Sequence, residues 1–154
     1  MAISNHKTEY NQNNVFANIL KGDLPSHQVY EDTITYVIMD IMPWSDGHCL
    51  VIPKTKARNI LDVDPDILSE TIKSVQIISK AVIKAFNADG VMIQQFNESA
   101  GGQVIFHLHF HIIPRFRGKR IQICNKEIAD NKILAEQADK IRRTLREREK
   151  EFNI

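Results

Sequence analysis

The stretch His107-Leu108-His109-Phe110-His111-Ile112-Ile113-Pro114 decides how this chain is read. Histidines alternate with apolar residues at period two, the pattern of a β-strand whose successive side chains face opposite ways. On such a strand the three imidazoles line one face, and Leu108, Phe110 and Ile112 pack on the other. Half of the chain's six histidines lie here. Imidazole titrates near neutrality and can act as base, nucleophile or ligand, so the row points to chemistry. The bland alternative is a solvated polar face, and strict alternation among strong strand formers argues against it.

Same-face positions i, i+2 and i+4 span roughly 13 Å of strand, whereas zinc takes its nitrogens at ~2 Å. Two neighbouring histidines can meet at one ion; all three converge only on a sharply bent strand. A phosphate suits the row better. One imidazole attacks phosphorus, leaving a phospho-histidine link, while its neighbour holds the non-bridging oxygens. Just upstream lies Asn97-Glu98-Ser99-Ala100-Gly101-Gly102-Gln103. Its adjacent glycines let backbone N–H groups approach an anion, and Asn97 and Gln103 add uncharged donors. A glycine pair alone would equally suit an ordinary turn.

Working outward, Val104 to Ile113 reads as the histidine strand and Val91 to Phe96 as the strand before it. Asp64 and Pro65 start a helix with a capping carboxylate and proline at the first position. Leu68, Ile72, Val75, Val82 and Phe86 carry its apolar face. Val29 to Glu31, Ile34 to Ile41 and His48 to Pro53 read as strands. Val15, Phe16, Ile19 and Leu20 have helical spacing, with Gly22 as a stop. Residues 1–13 read as a loose arm. Residues 126–152 form a charged helix in which Leu134, Ala138, Ile141 and Leu145 make one docking stripe. Acidic residues interleave with Arg142, Arg143, Arg146 and Arg148, which argues against nucleic acid. Strands, a long helix, strands and a helix spell an α+β fold with an antiparallel sheet.

With 154 residues, 25% charged and 43% hydrophobic, the chain has the make-up of one ordinary domain, residues 1–154. Its net charge of +1 gives no global field for nucleic acid or membrane. No apolar run is long enough to span a bilayer, and the polar N-terminus lacks a secretory core, so the expected compartment is the cytoplasm. Cys49 and Cys124 are too few for a disulfide framework and read as buried reduced thiols.

His107-Leu108-His109-Phe110-His111-Ile112-Ile113 resembles the His-φ-His-φ-His-φ-φ signature of the histidine triad (HIT) family. Asn14 to Ile19, Val37 to Pro43, Gly47 to Lys54 and Asn97 to Arg115 resemble further HIT segments in the right order. The resemblance covers residues 14–117 and is strongest to the Hint-like branch of bacterial members. It implies a five-stranded antiparallel sheet with one long and one short helix, plus the extra C-terminal helix. It also implies a homodimer joining two such sheets into one of ten strands. The implied activity is a nucleotidyl hydrolase or transferase on purine nucleotide conjugates of AMP or GMP, phosphoramidates among them, without a cofactor. A dinucleoside polyphosphate hydrolase, or a nucleotide-binding interaction protein with little activity, are the alternatives.

By position, the resemblance makes His109 the nucleophile, His111 the phosphate-binding histidine and His107 their support. Asn97, Gly102 and Gln103 match phosphate-loop residues, Asp40 the acid that holds the ribose hydroxyls, and His48 a histidine beside the triad. Phe16, Ile19 and Ile41 match apolar walls of the base pocket, and each would also serve as plain core. Two departures stand out. Some members bind zinc through Cys-x-x-Cys, completed by residues matching His48 and His107; here Asn14 and Ala17 occupy the cysteine positions, so no metal is expected. Where Hint proteins carry a hydroxyl after the glutamine, which can protonate an amine leaving group, this chain has Val104, which cannot.

Overall fold

A computed structural model describes residues 9–121, 123 and 125–152. Cys124, expected to be a buried thiol, and residues 1–8 of the arm lie outside the described residues. Helix α1 (Val15–Leu20) begins where the Asn14 side chain accepts from the Ala17 N–H at 2.9 Å. Strands β1 (Gln28–Glu31), β2 (Thr35–Met39) and β3 (Cys49–Pro53) follow. Helix α2 (Pro65–Phe86) starts on Asp64, whose carboxylate takes the Asp66 and Ile67 N–H groups, and ends at a left-handed Asn87. Strand β4 (Gly90–Gln94), a 3-10 turn at Ser99–Gly101, strand β5 (Phe110–Arg115) and helix α3 (Asn131–Phe152) complete the order.

The strands form one antiparallel sheet in the order β1-β2-β3-β5-β4, the five-stranded α+β architecture expected. Alternation in β2, β3 and β5 divides the apolar residues between two faces. Val37, Met39, Cys49, Val51, Phe110 and Ile112 join Val75, Ile78 and Val82 of α2 and Leu134, Ala138, Ile141 and Leu145 of α3 in the main core. The α3 stripe is therefore buried as its spacing predicts, at ~1.5–3 kcal/mol for each leucine or isoleucine. On the other face Ile38, Leu50 and Ile52 pack with Phe16 of α1, flanked by Ile19, Leu20, Tyr36 and Ile105. Among the described residues, no helix is long and apolar enough to cross a membrane.

Three expectations need correction. The histidine strand begins at Phe110, not Val104, so only His111 of the triad is paired in the sheet, opposite Leu50 on one side and Gln94 on the other. Leu108 ties the preceding segment down by donating its N–H to Ala57 O and burying its side chain in the main core. The helix face of α2 is also shifted. Ile72 is 46% exposed, and Thr71 and Ser74 take inner positions. They can do so because Thr71 Oγ1 donates to Ile67 O, while Ser74 Oγ bonds Thr35 Oγ1 and the Asp32 carboxylate. Lastly, α3 starts at Asn131 rather than residue 126.

Candidate active site

All three imidazoles lie on the Phe16–Leu50 side of the sheet. The Phe16 ring meets His109 edge-on at 4.8 Å and His107 at 6.3 Å, and His109 sits 5.0 Å from His111, centroid to centroid. The period-two reading of faces thus holds through a stretch that is only partly strand.

Each ring's hydrogen bonds decide where its proton sits. His109 Nδ1 lies 2.7 Å from the His107 carbonyl oxygen. A carbonyl only accepts, so Nδ1 carries the proton and Nε2 keeps its lone pair. Burial pulls the His109 pKa down to about 4, which keeps the ring neutral and Nε2 unprotonated at pH 7. His107 is fully buried; its Nε2–H donates to Pro53 O at 2.8 Å, and its Nδ1 accepts from the Tyr10 hydroxyl. Burial lowers its pKa as well.

His111 is set by a chain that begins on the backbone. The Trp44 N–H donates to His48 Nδ1 at 3.0 Å, so the His48 proton is on Nε2. That Nε2–H meets His111 Nδ1 at 2.9 Å. His111 Nδ1 is then an acceptor, and its own proton is on Nε2. Burial lowers both pKa values to about 3, each ring's neighbouring histidine adding to the effect. The Trp44 ring stacks on His111 at 6.4 Å, and Phe96 closes on it edge-on at 5.8 Å. Neighbouring histidines thus offer opposite groups, a lone pair on His109 and an N–H donor on His111. The loop that delivers His48 passes under Phe86. Gly47 has φ +82, and a Cβ there would come within 2.7 Å of the Phe86 ring, so only glycine fits.

Asp40 lies beside this pair. Its Oδ1 accepts the Met42 N–H at 2.8 Å, and Oδ2 stands 3.4 Å from His48 Nε2 and 3.8 Å from His111 Nδ1. The Trp44 N–H on Nδ1 requires a neutral His48, so the Asp40 contact is a charge–dipole contact rather than an ion pair. Burial raises the Asp40 pKa to about 6. Of the expected base-pocket walls, Phe16 is buried and Ile19 packs beside it, but Ile41 is 44% exposed and Ile38 fills the packed position.

The loop at residues 97–103 is built differently from the cradle its glycines suggest. The Gly101 N–H donates to Glu98 O and the Gly102 N–H to Ser99 O, so both glycine donors close the 3-10 turn. Gly102 has φ +93 with Phe96 3.3 Å from where a Cβ would stand, which packs the loop onto the ring that touches His111. Gln103 is buried, and its amide is wholly engaged. Its Oε1 accepts from Asn59 Nδ2 and the Glu98 N–H, and its Nε2 donates to Arg58 O and Ile105 O. Asn97 Oδ1 accepts the Ile60 N–H, and its Nδ2 donates to Gln95. Both side chains shape the loop in this state instead of reaching outward.

The residues do not fit the zinc site described for some family members. Asn14 Oδ1 caps α1, Ala17 has no donor atom, and the ring nitrogens of His48 and His107 address separate partners. Ligand atoms of Asp40, His48 and His111 do lie within 4.8 Å of one another. A metal on His48 Nε2 would need the proton moved to Nδ1, into the Trp44 N–H, and this opposes binding there.

Sequence reasoning missed Tyr10, Trp44, Arg58, Asn59, Glu98 and Phe96. None belongs to a periodic pattern, and only a motif match on flanking residues could have flagged them. Tyr10 falls in the segment expected to be a loose arm, yet it bonds His107, and Gln12 accepts from Lys21 and Lys56. Cys49 is a buried core thiol as expected, its Sγ–H donating to Gly47 O.

Sheet order and triad define a histidine triad domain. The HIT domain family profile matches residues 21–118, and the chain belongs to the HIT family. It is 40% identical over 101 residues to the adenylylsulfatase HINT3 of Arabidopsis thaliana, a match covering 66% of this chain and 51% of that protein. It is 32% identical over 101 residues to the adenosine 5′-monophosphoramidase HNT1 of Saccharomyces cerevisiae, covering 66% of this chain and 61% of that one. The chain thus spans about half to three-fifths of the length of these two relatives. The crystal structure of a Hit-like protein from Bartonella henselae superposes with a TM-score of 0.83 at 49% identity, covering 88% of this chain and 99% of that one.

Proposed function

We propose that the protein hydrolyses purine nucleoside monophosphate conjugates through a nucleotidyl-histidine intermediate. The observation that carries this reading is the opposed protonation of neighbouring rings, a lone pair on His109 Nε2 and a proton on His111 Nε2. His109 Nε2 attacks the α-phosphorus; the N–P bond forms as the bond to the leaving group breaks. His111 Nε2–H stabilises the negative oxygens. Water then attacks phosphorus as the N–P bond breaks, one water proton passes to solvent, and the monophosphate leaves with His109 neutral again. His107 supplies the carbonyl that fixes the His109 tautomer. The base lies against Phe16 and Ile19 with Ile41 at the rim. Asp40 flanks the ribose side, the buried His48 behind it orients His111, and the loop of Asn97, Gly102 and Gln103 borders the phosphate. No cofactor is required.

Val104 is 84% exposed and has no proton to give. An amine leaves only when protonated, whereas sulfate or a nucleotide leaves as a stable anion. This favours anionic leaving groups, as in adenylyl sulfate or a dinucleoside polyphosphate, over phosphoramidates. The names of the Arabidopsis and yeast relatives place one of each class in the family. The test is single-turnover reaction with adenylyl sulfate, adenosine phosphoramidate and a diadenosine polyphosphate, read by intact mass. The expected result is an added adenylyl mass in the wild type and none in His109→Ala. Saturable AMP binding with no adduct and no turnover overturns the enzyme reading in favour of a nucleotide-binding interaction protein. Homodimerisation and a cytoplasmic location are part of the same proposal. Elution at twice the monomer mass checks the first, and fractionation of cells the second.

A further inference from the structure

Glu98 is the odd residue of the 97–103 loop. Its backbone stands at φ +64, ψ 163, a region that side chains rarely adopt. A residue persists there only when its surroundings hold it, and here the holder is visible. Arg58 donates Nε to Glu98 Oε1 and a terminal nitrogen to Oε2, both at 2.9 Å, a two-pronged pairing. Asn59 Nδ2 adds a third bond to Oε1 at 2.7 Å and shares itself with Gln103 Oε1, which also takes the Glu98 N–H. The Glu98 carbonyl accepts the N–H groups of Gly101 and Gln103. The far side of the strap is equally fixed. The Arg58 guanidinium lies 4.0 Å over the Phe106 ring, and the Arg58 and Asn59 N–H groups are capped by Asp62. These three long-range bonds to one carboxylate converge on the residue that opens the turn whose Gly102 rests on Phe96 and, through it, on His111.

We propose that the Arg58–Glu98 pair is a strap that holds the 97–103 loop in register with His109 and His111, making Arg58 and Glu98 positioning residues for the substrate phosphate. This rests on the loop bordering that phosphate, as proposed above. Neither residue needs to touch substrate. The strap sets where Gly102 presses the Phe96 ring that meets His111, so its loss should displace His111, cost phosphate recognition and leave recognition of the nucleoside intact.

The experiment measures AMP and adenosine affinities by calorimetry, single-turnover adduct formation and melting temperature. The proteins are the wild type, Glu98→Gln, Glu98→Gly, Arg58→Gln and the Arg58→Gln/Glu98→Gln double variant. Glycine adopts the Glu98 backbone freely, so Glu98→Gly separates backbone shape from side-chain pairing. The expected result is a fall of about tenfold in the AMP-to-adenosine affinity ratio and in the adduct rate in every single variant. Adenosine affinity stays unchanged, and the double variant is no worse than either single, because one strap is cut once. Should a Glu98 variant not fold, Arg58→Gln carries the same test. A wild-type ratio retained in Glu98→Gly or Arg58→Gln overturns the strap alone. A wild type that binds AMP no better than adenosine overturns both the strap and the proposed function.

Discussion

Acidification from pH 7 to pH 5 should destabilise the fold steeply, and the buried histidines set the size of the effect. In the unfolded chain each histidine protonates near 6.5. In the native protein His48 and His111 do so only near 3, and His109 near 4. Below pH 6.5 the unfolded state therefore binds protons that the native state refuses, and stability falls with pH until the native values are reached. Each such group costs about 1.4 kcal/mol per pH unit in that window. Asp40 acts in the opposite direction. Its native pKa of about 6 lies above the unfolded value of 3.8, so between these the native state binds the extra proton and gains stability as pH falls. Three histidines against one carboxyl leave a net loss of roughly 4 kcal/mol between pH 7 and pH 5. That is a large part of the ~5–15 kcal/mol typical of a folded domain. Urea unfolding at fixed protein concentration, at pH 7.0 and 5.0, measures it. With a slope of about 2 kcal/mol per molar, the midpoint should drop by about 2 M. His111→Gln should remove about a third of the histidine contribution. A midpoint that moves by less than ~0.5 M would show that these rings are not held neutral and that His109 Nε2 does not carry the free lone pair the proposed attack needs.

Three more outcomes follow from particular contacts. Val104→Ser, at an 84% exposed position, should raise phosphoramidate turnover by roughly 10²-fold while leaving adenylyl sulfate turnover nearly unchanged; parallel steady-state assays with the two substrates check it, and an equal gain on both refutes the proton-donor reading. Tyr10→Phe should lower the melting temperature by roughly 2–4 °C, since it strips the donor from buried His107 Nδ1 at a cost of about 1 kcal/mol. An unchanged melt would mean the arm contributes nothing at that ring. Gly102→Ala should cost about 1 kcal/mol or more, because φ is +93 and the new Cβ presses the Phe96 ring at 3.3 Å. Denaturant titration reads this directly.

Much of the architecture is legible in local patterns. Asp64-Pro65 marks the start of α2, and Leu134, Ala138, Ile141 and Leu145 mark the docked stripe of α3, because capping and helical period act over a few residues. The same locality explains why apolar spacing alone puts Ile72, rather than Thr71 and Ser74, on the inner face of α2. Thr71 and Ser74 are tolerated inside only because Ile67 O, Thr35 and Asp32 satisfy them, and two of those partners come from a distant strand and turn.

The sequence by itself determines that three imidazoles share one side of the sheet, since backbone geometry alternates side chains whether or not every residue is hydrogen-bonded as strand. It does not determine what each imidazole offers. That depends on which atom faces each ring nitrogen: residue 107 faces His109 from two positions away and residue 44 faces His48 from four, whereas residues 10, 48 and 53 reach His107 and His111 only through the folded sheet. Composition names the histidines; tertiary contacts place their protons, because a tautomer is chosen by hydrogen-bond partners that lie as far as 97 positions away in the chain.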